Sequence, residues 1–197
     1  MTNETKKANK RRKKERLFKE RVFVGKGIDI GCGNDILDKR VFKRIESIEP
    51  FDVKDGDAQY INRYRKEESF DFVYSSNCLE HMEDPFLALK NWFSLVRDGG
   101  YLVFTVPDED LYEQGVFPSR YNPDHKSTFT IFKQRSWSPK SLNVVDLIRA
   151  IGSCKVLKIA IVDTKYGYSL SNVDQTRGNA EAFIEVVLQK VGNIAGG

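Results

Sequence analysis

The stretch Asp29-Ile30-Gly31-Cys32-Gly33 decides the fold of this chain, because it joins an apolar run to a polar segment through two glycines. Residues 26–30 predict a buried strand, and the glycines allow a sharp turn where a ligand can approach bare peptide groups. A strand, a glycine turn and a short helix, predicted over 36–43, form the nucleotide-binding corner of a doubly wound α/β sheet. The third glycine of a dinucleotide site is missing, since position 36 is Ile36. A carboxylate two residues before the first glycine repels phosphate and suits a ligand with an ammonium group.

Four shorter motifs follow this stretch in order, namely Asp57-Ala58, Phe70-Asp71-Phe72-Val73, Leu79-Glu80-His81 and Gly99-Gly100-Tyr101-Leu102. With this order and spacing, about residues 24–110 resemble the class I S-adenosylmethionine-dependent methyltransferases, whose signature has the form D-x-G-x-G, G-D-A, F-D-x-V, L-E-H and G-G-x-L. More narrowly, residues 106–130 are similar to methyltransferases encoded among bacterial surface-polysaccharide genes. The resemblance implies an α/β, Rossmann-like, doubly wound fold with a mostly parallel sheet and a C-terminal antiparallel hairpin.

The hydrophobic pattern places the elements of that fold along the chain. Besides residues 26–30, the predicted strands cover 45–51, 70–75, 101–106, 156–162 and 183–188. Predicted helices begin at Asp84-Pro85 and at Ser138-Pro139, where a capping residue precedes proline at the first helical position. Residues 107–136 and 163–180 are expected to be long loops, and long loops in a compact domain are usually functional or disordered.

The region around the third strand of the family pattern is shortened. Only four residues separate Asp52 from Asp57, which leaves no room for the helix and strand expected there. Strand 45–51 therefore becomes an edge of the sheet, and this position explains how the strand tolerates Pro50.

The resemblance implies that S-adenosylmethionine is the cofactor, bound at the carboxyl ends of the first strands. Gly31 and Gly33 would leave room for its methionine end and ribose, with Asp29 near the amino group. Asp57 would accept a hydrogen bond from the adenine amino group. The candidate cofactor-binding residues are Asp29, Gly31, Cys32, Gly33, Glu49, Asp52, Asp57, Ala58, Ser76 and Asn77.

One carboxylate at the end of the second strand would accept hydrogen bonds from both ribose hydroxyls. Asp52 stands 19 residues past Gly33, about the usual distance in the family, whereas Glu49 lies three residues closer. The spacing favours Asp52 and keeps Glu49 as the alternative.

His125 and His81 are the candidate catalytic residues. A hydroxyl acceptor needs a base within hydrogen-bond reach, and His125 lies in the long loop on the side where substrate should enter. Either histidine could instead be structural, His125 by tying its loop to the next helix and His81 by packing with Glu80. Tyrosine faces and charged groups in the same loop suit a polyhydroxylated acceptor. The candidate substrate-binding residues are Tyr112, Arg120, Tyr121 and Asp124.

The charge is unevenly distributed along the 197 residues. Residues 1–21 hold ten Lys or Arg and three Glu, a net of +7, so the other 176 residues carry −3 of the total of +4. We therefore divide the chain into a basic N-terminal arm, 1–21, and a methyltransferase domain, 22–197. The arm is expected to be solvated and to pack little before Leu17, and residues 6–21 could contact anionic headgroups or nucleic acid. The acidic body disfavours a broad nucleic-acid footprint.

The composition excludes several classes of protein. No apolar stretch approaches 18 residues and no apolar signal segment is present, so we expect a cytoplasmic protein without a transmembrane segment. Cys32, Cys78 and Cys154 are odd in number and far apart, which fits reduced thiols. Because the histidines and cysteines lack metal-ligand spacing, the sequence predicts no metal site. It leaves the oligomeric state open.

Three hypotheses of function follow from these patterns. The first is methyl transfer from S-adenosylmethionine to a sugar, nucleotide sugar or lipid-linked glycan, at oxygen, in surface-polysaccharide biosynthesis. The second is methylation of RNA held by the basic arm. The third is a degenerate methyltransferase fold that serves as a binding or scaffold subunit, although the acids Asp29, Asp52 and Asp57 have no obvious purpose without the cofactor.

Overall fold

The structure is a computed structural model that describes residues 3–192, and a six-stranded sheet forms its centre. Within these residues the strands are β1 (Gly25–Ile30), β2 (Ile45–Phe51), β3 (Phe70–Ser76), β4 (Val96–Pro107), β5 (Thr128–Thr130), β6 (Ser141–Asn143), β7 (Cys154–Val162) and β8 (Phe183–Lys190). The α-helices of the same range are α1 (Glu4–Arg12), α2 (Pro85–Ser94) and α3 (Val144–Ala150). None of the helices in 3–192 is long and apolar enough to cross a membrane.

The predicted mostly parallel sheet with a terminal antiparallel hairpin is confirmed. The strand order is β2-β1-β3-β4-β8-β7, and β5 pairs with β6 in a separate two-stranded sheet. The first four strands of the central sheet run parallel, whereas β8 is antiparallel to both β4 and β7. The chain moves outward from β1 to β2 and then returns to β3 on the opposite side of β1. Such a reversal opens a crevice at the carboxyl ends of the two inner strands, where ligands bind in folds of this type.

Strand β2 forms the edge of the sheet, as the sequence predicts, and Pro50 lies in it. Two 3₁₀ turns, Val53–Asp55 and Ala58–Arg63, follow β2 in place of a helix and a further strand. Helix α2 braces this short segment, because the indole N–H of Trp92 donates to the Ala58 carbonyl at 2.9 Å. The shortened region is therefore held firmly beside the crevice.

Apolar side chains cover both faces of the central sheet. On one face, α2 and α3 bury side chains such as Trp92 and Leu147 against the strands. On the other face, Phe18 and Phe23 of the N-terminal segment pack with Tyr74 of β3. Full burial of one such ring contributes about 1.5–3 kcal/mol. The N-terminal segment is thus part of the hydrophobic core.

The helix predicted over 36–43 is wrong, because these residues form irregular turns. The Asp29 carboxylate accepts a hydrogen bond from the Leu37 amide at 2.7 Å, and the Asp38 carboxylate accepts one from the Arg40 amide at 2.8 Å. Aspartate side chains that bind nearby amides compete with the helical hydrogen bonds of the backbone. Leu37 and Phe42 of these turns pack with Phe18 and Phe23 of the N-terminal segment.

The helix predicted from Ser138-Pro139 begins later, at Val144. Residues 141–143 are already paired as β6 with β5, which lies inside the predicted loop 107–136. Strand pairing with a distant segment therefore outweighs the local capping signal, as tertiary context often does.

The N-terminal segment docks on the body of the protein, contrary to the expectation of a solvated arm. The buried residues of α1 are Glu4, Thr5, Ala8, Asn9 and Arg12. The fully buried Arg12 guanidinium donates to the Glu185 carboxylate at 2.6 Å and to the Tyr74 hydroxyl at 2.9 Å. The Lys7 ammonium donates to two backbone carbonyls within 176–180, at 2.8 and 2.9 Å.

Glu185 of β8 lies at the centre of this contact. Its carboxylate also pairs with Arg11 at 2.9 Å and with Lys158 at 2.8 Å. Burial by itself would raise the pKa of Glu185, but the charges of Arg12, Arg11 and Lys158 outweigh burial and hold the pKa well below its ordinary value. Glu185 is therefore ionised in the folded protein and anchors α1 to the sheet.

Substitution of Arg12 tests this anchor. Arg12→Ala should lower the free energy of unfolding by about 3 kcal/mol, because Glu185 loses its fully buried partner. Arg16→Ala is the matched control, since the Arg16 side chain is 86% exposed and pairs with Glu20 of the same segment; it should leave the stability nearly unchanged. Urea unfolding of the three proteins gives the comparison. Equal effects of the two substitutions would contradict the anchoring role of Arg12.

The depressed pKa of Glu185 also predicts a loss of stability in acid. The folded pKa lies below the ordinary value of 4.5, so the stabilisation is fully present above that pH region and is lost as the pH falls towards the folded pKa. Glu185→Gln lacks this titration. The difference in free energy of unfolding between wild type and variant should therefore shrink from about pH 5 to about pH 3, as followed by urea unfolding. A difference that stays constant over this range would refute the assignment.

Candidate functional site

Three loops meet at the carboxyl ends of β1, β2 and β3, and two cavities lie between them. The larger has a volume of about 590 Å³ and lies against residues 52–58 and 77–82. The smaller, about 260 Å³, lies between the glycine loop, 31–35, and the start of α1. Because Gly31 and Asn77 line both cavities, the two spaces adjoin at these residues.

The glycines after β1 are required by the backbone and by close packing. Gly31 has a φ of +70°, and a Cβ there would lie 2.5 Å from the Cys78 sulfur. Gly33 has a φ of +50°, and a Cβ there would have only the Asp52 carboxylate within reach, at 3.9 Å. The first glycine lets the loop approach the segment after β3. The second leaves open space in front of Asp52.

Asp29 lies beneath the glycine loop and is 1% exposed. One carboxylate oxygen accepts the Leu37 amide, while Oδ1 has no hydrogen-bond partner among the described residues. Burial raises the pKa of Asp29 to about 8, although the Leu37 hydrogen bond lowers it in part. Asp29 therefore holds the shape of the loop and keeps one buried oxygen without a partner among the described residues.

The structure separates the two candidates for the ribose carboxylate. Asp52 lines the larger cavity and caps the turn after β2, because its Oδ1 accepts the Val53 amide at 2.8 Å. Glu49 forms an ion pair with Arg65, and it is not among the residues that line the described cavities. The geometry therefore favours Asp52.

Asp57 and Ala58 also line the larger cavity. The Asp57 side chain is exposed and accepts a hydrogen bond from the Gln59 amide at 2.8 Å. Ala58 is partly buried, and its small side chain leaves the cavity open beside it. An acid next to a small apolar residue suits a flat heterocycle with an exocyclic amino group.

Cys32, Ser76 and Asn77 line the smaller cavity. Asn77 has a φ of +51° and donates its amide to the Thr105 carbonyl at 3.0 Å, so β4 fixes this strained position. Burial raises the pKa of Cys32 to about 11, which keeps it a neutral thiol. Of the predicted cofactor residues, Glu49 lies apart and Asp29 lies beneath the loop, while the other eight line these two cavities.

A third cavity, about 110 Å³, adjoins the first two on the side of the predicted catalytic residues. Its lining includes both histidines, His81 and His125. Asn77 lines all three cavities, and Glu4 of α1 lines the second and the third. The structure therefore places the predicted catalytic residues in a cavity that meets the other two at Asn77.

His125 is buried, and its Nδ1 donates to the Glu113 carboxylate at 2.7 Å. Its Nε2 lies 4.0 Å from Glu80. Burial by itself would lower the pKa of His125, but the hydrogen bond to Glu113 and the charges of Glu80 and Glu113 hold it above its ordinary value. The His81 ring lies 5.1 Å from the His125 ring, and its Nδ1 donates to the Asp124 carbonyl at 3.2 Å.

The predicted substrate residues divide into two groups. Tyr112 lines the third cavity and stacks obliquely on His125 at 5.3 Å, while Tyr121 packs edge-on against Tyr112 at 5.8 Å. The exposed Arg120 instead contacts Asn172. Asp124 contributes its backbone carbonyl, and its side chain is exposed. Tyr112 thus lines the cavity and Tyr121 contacts Tyr112, whereas the side chains of Arg120 and Asp124 lie outside the cavity.

Sequence analysis missed Glu4 as a site residue and gave no role to Glu113. Glu4 sits in a basic run that looks like a solvated arm, and only the docking of α1 brings it to the cavities. Burial raises the pKa of Glu4 to about 7, partly offset by its pairing with Lys7 at 2.8 Å. Glu113 lies 12 residues before His125 in an irregular segment, so no periodic pattern indicates their contact.

A cavity of about 600 Å³ also lies between α1 and residues 34–41. Its lining includes Lys6, Lys10, Lys13, Lys39 and Arg40, and it contains none of the predicted site residues. The volume of a cavity therefore does not identify the site. The site is identified by the polar groups that converge at the carboxyl ends of the strands.

Comparison with known proteins identifies the family of the chain and supports its fold. Residues 3–143 match a protein family described as a methyltransferase domain. Among solved structures, the chain is similar to a candidate sarcosine dimethylglycine methyltransferase from Galdieria sulphuraria, with 12% identity, 95% of this chain and 85% of that chain covered, and a TM-score of 0.64. It is also similar to an S-adenosylmethionine-dependent methyltransferase from Clostridium acetobutylicum, with 12% identity, coverages of 95% and 92%, and a TM-score of 0.59. A third similar protein, an S-adenosylmethionine-dependent methyltransferase from Archaeoglobus fulgidus, has 17% identity, coverages of 96% and 95%, and a TM-score of 0.55. No match is found among proteins with curated descriptions.

The residues of the first two cavities fit S-adenosylmethionine. Open space lies in front of Gly33, the unpaired oxygen of Asp29 lies beneath the loop, and the acids Asp52 and Asp57 face the larger cavity. The cofactor carries an ammonium group, two ribose hydroxyls and an adenine amino group, all of which donate hydrogen bonds. The acceptors present therefore match the donors of the ligand in kind.

Isosteric substitutions test the choice between the two candidate ribose acids. Asp52→Asn should weaken the binding of S-adenosylhomocysteine about tenfold or more, because it removes a charged acceptor and keeps an oxygen for the Val53 amide. Glu49→Gln, the matched control, should change the dissociation constant less than about twofold, since Glu49 pairs with Arg65 outside the cavity. Calorimetric titration measures both. A larger effect for Glu49→Gln would reverse the assignment.

Proposed function

We propose that this chain, which belongs to the methyltransferase-domain family and uses S-adenosylmethionine as its cofactor, methylates a hydroxyl oxygen of a sugar or glycan acceptor. The observation that carries the proposal is the buried pair of His125 and Glu113 in the cavity next to the cofactor cavities. A hydroxyl loses its proton when it is methylated, so an enzyme for this reaction benefits from a base at the acceptor. Histidine oriented by a carboxylate is a common arrangement for that role.

The cofactor is proposed to lie across the two larger cavities. Asp52 would accept hydrogen bonds from the ribose hydroxyls, and Asp57 would accept one from the adenine amino group beside Ala58. Gly31 and Gly33 admit the methionine end above Asp29, between the glycine loop and Ser76. Bound S-adenosylmethionine supplies a methyl group on a sulfonium, which an acceptor oxygen can displace in line.

Asn77 is proposed to mark the place of transfer, because it lines all three cavities. An oxygen in the third cavity then lies beside His125 and His81 and faces the end of the cofactor cavities. In the reaction the O–H and S–CH₃ bonds break, an O–CH₃ bond forms, and the proton passes to a base in the third cavity, with His125 as the first candidate. The enzyme contributes mainly orientation and the exclusion of water, which can be equivalent to about 10⁵ M of effective concentration.

A sugar is the acceptor that the surroundings of this cavity support best. Tyr112, supported by Tyr121, provides an aromatic ring, and Asn122 provides an amide at the same cavity. The faces of such rings pack against the C–H surfaces of sugar rings, while amides bind their hydroxyls. The segment 106–130, which supplies these residues, is also the one that resembles methyltransferases of surface-polysaccharide gene clusters. We therefore propose a role in surface-polysaccharide biosynthesis.

The other two hypotheses have less support. Methylation of RNA relied on a free basic arm, but Lys7, Arg11 and Arg12 are engaged with groups of the protein itself. A scaffold without activity leaves the acids at the cofactor cavities without a purpose, and the chain belongs to an enzyme family. Both remain distinguishable from sugar methylation by direct assay.

The proposal predicts turnover with sugar acceptors that depends on His125. Purified protein should release S-adenosylhomocysteine in the presence of some member of a panel of sugars, nucleotide sugars and lipid-linked glycans, and mass spectrometry should locate the methyl group on oxygen. His125→Gln should lower kcat by about 10²–10⁴-fold, because the acceptor loses its base or its orientation. The control is Lys126→Gln, since the exposed side chain of the neighbouring Lys126 pairs with exposed Glu83; it should keep full activity.

Two outcomes would count against this function. If the protein methylates RNA and none of the sugars in the panel, the acceptor is RNA and not a sugar. Full activity of His125→Gln, with normal binding of the cofactor, would exclude a role of His125 in the transfer. Binding of S-adenosylhomocysteine, measured in parallel, shows whether a variant has kept its cofactor site.

A further inference from the structure

We propose that Glu80, His81 and His125 bind one divalent transition-metal cation, of the kind represented by Zn²⁺, in the wall of the third cavity. One possible ligand atom from each of the three residues lies within 4.8 Å of the other two. The sequence predicted no metal site, because 43 residues separate the two histidines and no ligand spacing is visible. The fold removes that separation by placing the loop after β3 against the segment before β5.

Both histidines are oriented as metal ligands usually are. The Nδ1 of His125 donates to Glu113 at 2.7 Å, and the Nδ1 of His81 donates to the carbonyl of Asp124 at 3.2 Å. A carboxylate and a carbonyl can only accept, so each Nδ1 carries a proton, and Nε2 is the nitrogen that can bind a cation when the imidazole is neutral. Metal-bound histidines almost always have such a partner on the second nitrogen, which fixes the tautomer and the direction of the ring.

Buried carboxylate oxygens beside the two histidines favour the binding of a cation. Glu80 is 1% exposed and Glu113 is 2% exposed, and the Oε2 atom of each has no hydrogen-bond partner among the described residues. Oε1 of Glu80 lies 4.0 Å from Nε2 of His125, which is beyond hydrogen-bond distance. Buried carboxylates in a native protein are normally paired or bind a metal. A cation between Glu80 and the two histidines satisfies the free oxygen of Glu80 and balances the charge of the neighbouring Glu113.

The set of donors is that of a catalytic zinc site. Two histidines and one glutamate hold zinc in a class of hydrolases, and the fourth position stays open for water or substrate. Ligand atoms at about 2.1 Å from a tetrahedral cation lie about 3.4 Å apart, so the three side chains must close by roughly 1 Å on binding. The open position faces the third cavity, because all three ligands line it.

The cation would act on the acceptor, a role that rests on the proposed function. An acceptor hydroxyl at the open position binds the cation through oxygen, and the cation lowers the pKa of that hydroxyl. His125 then serves as a ligand, and the carboxylate of Glu4, which lines the same cavity, is placed to receive the proton. Two neighbouring hydroxyls of a sugar can both reach a cation, which suits the acceptor class.

Metal binding can be measured without any acceptor. The full-length protein is treated with a chelator, and Zn²⁺ is added in a calorimeter; Co²⁺ is added in a parallel experiment and followed by its visible absorption. We expect one equivalent per chain. Glu80→Gln, His81→Gln and His125→Gln should each weaken Zn²⁺ binding by tenfold or more, and Glu113→Gln by about tenfold through the orientation of His125.

Controls separate this site from other ligands and from misfolding. Cys154→Ser and Lys126→Gln should bind Zn²⁺ as the wild type does, because Cys154 lies in β7 and the side chain of Lys126 is exposed. Binding of S-adenosylhomocysteine and circular dichroism show whether each ligand variant is folded. Should a ligand variant unfold, the Co²⁺ spectrum of Glu113→Gln still reports on the geometry around His125.

The results separate failure of the metal site from failure of the proposed function. No saturable Zn²⁺ binding, or binding that the three ligand variants leave unchanged, would overturn the metal site whatever the methylation assays show. Saturable binding of Zn²⁺ at one site, weakened in these variants, would support the metal site even if no sugar is methylated. With an active sugar acceptor, chelator-treated protein that regains at least tenfold in rate on addition of Zn²⁺ would support the catalytic role, and an unchanged rate would overturn that role.

Discussion

The buried contact between Arg12 and Glu185 is the interaction on which the rest of the structure depends. It ties the N-terminal helix to β8 and, through the Tyr74 hydroxyl, to β3 in the middle of the sheet. With the helix in place, Phe18 and Phe23 cover one face of the sheet, and Glu4 reaches the cavities. A buried ion pair adds little stability when it replaces apolar packing, but the loss of one partner is costly. The pair therefore specifies where the segment docks, and the aromatic rings supply the burial.

The site follows from the reversal of strand order next to β1. Parallel strands end at the same edge of the sheet, so the loops after β1, β2 and β3 converge there. Asn77, held in a left-handed conformation by β4, lies at the junction of all three cavities. Residues that can accept hydrogen bonds from a cofactor line two of these cavities, and His81 and His125 line the third. The shortened segment after β2 keeps its acids at the edge because α2 braces it.

Polar groups are buried around the cavities to an extent that folding alone does not favour. Asp29, Glu80 and Glu113 are each nearly fully buried and have an oxygen without a partner among the described residues. Each such oxygen costs stability of about 1–3 kcal/mol. Groups of this kind occur where a ligand completes the hydrogen bonds or the coordination, so the cost is concentrated at the functional site. The apolar clusters on the two faces of the sheet offset it.

The sequence by itself determined the sheet, because alternating and continuous apolar runs, glycine turns and the short gap from Asp52 to Asp57 are local signals. The same signals named eight residues that line the two cavities at the strand ends, and the spacing from Gly33 favoured Asp52 over Glu49. Only the tertiary structure decided the docking of α1, the late start of α3 at Val144 and the meeting of His81 with His125. Each of these depends on contacts between segments far apart in the chain. Such contacts are selected by the burial and charge of the whole fold, which no local pattern encodes.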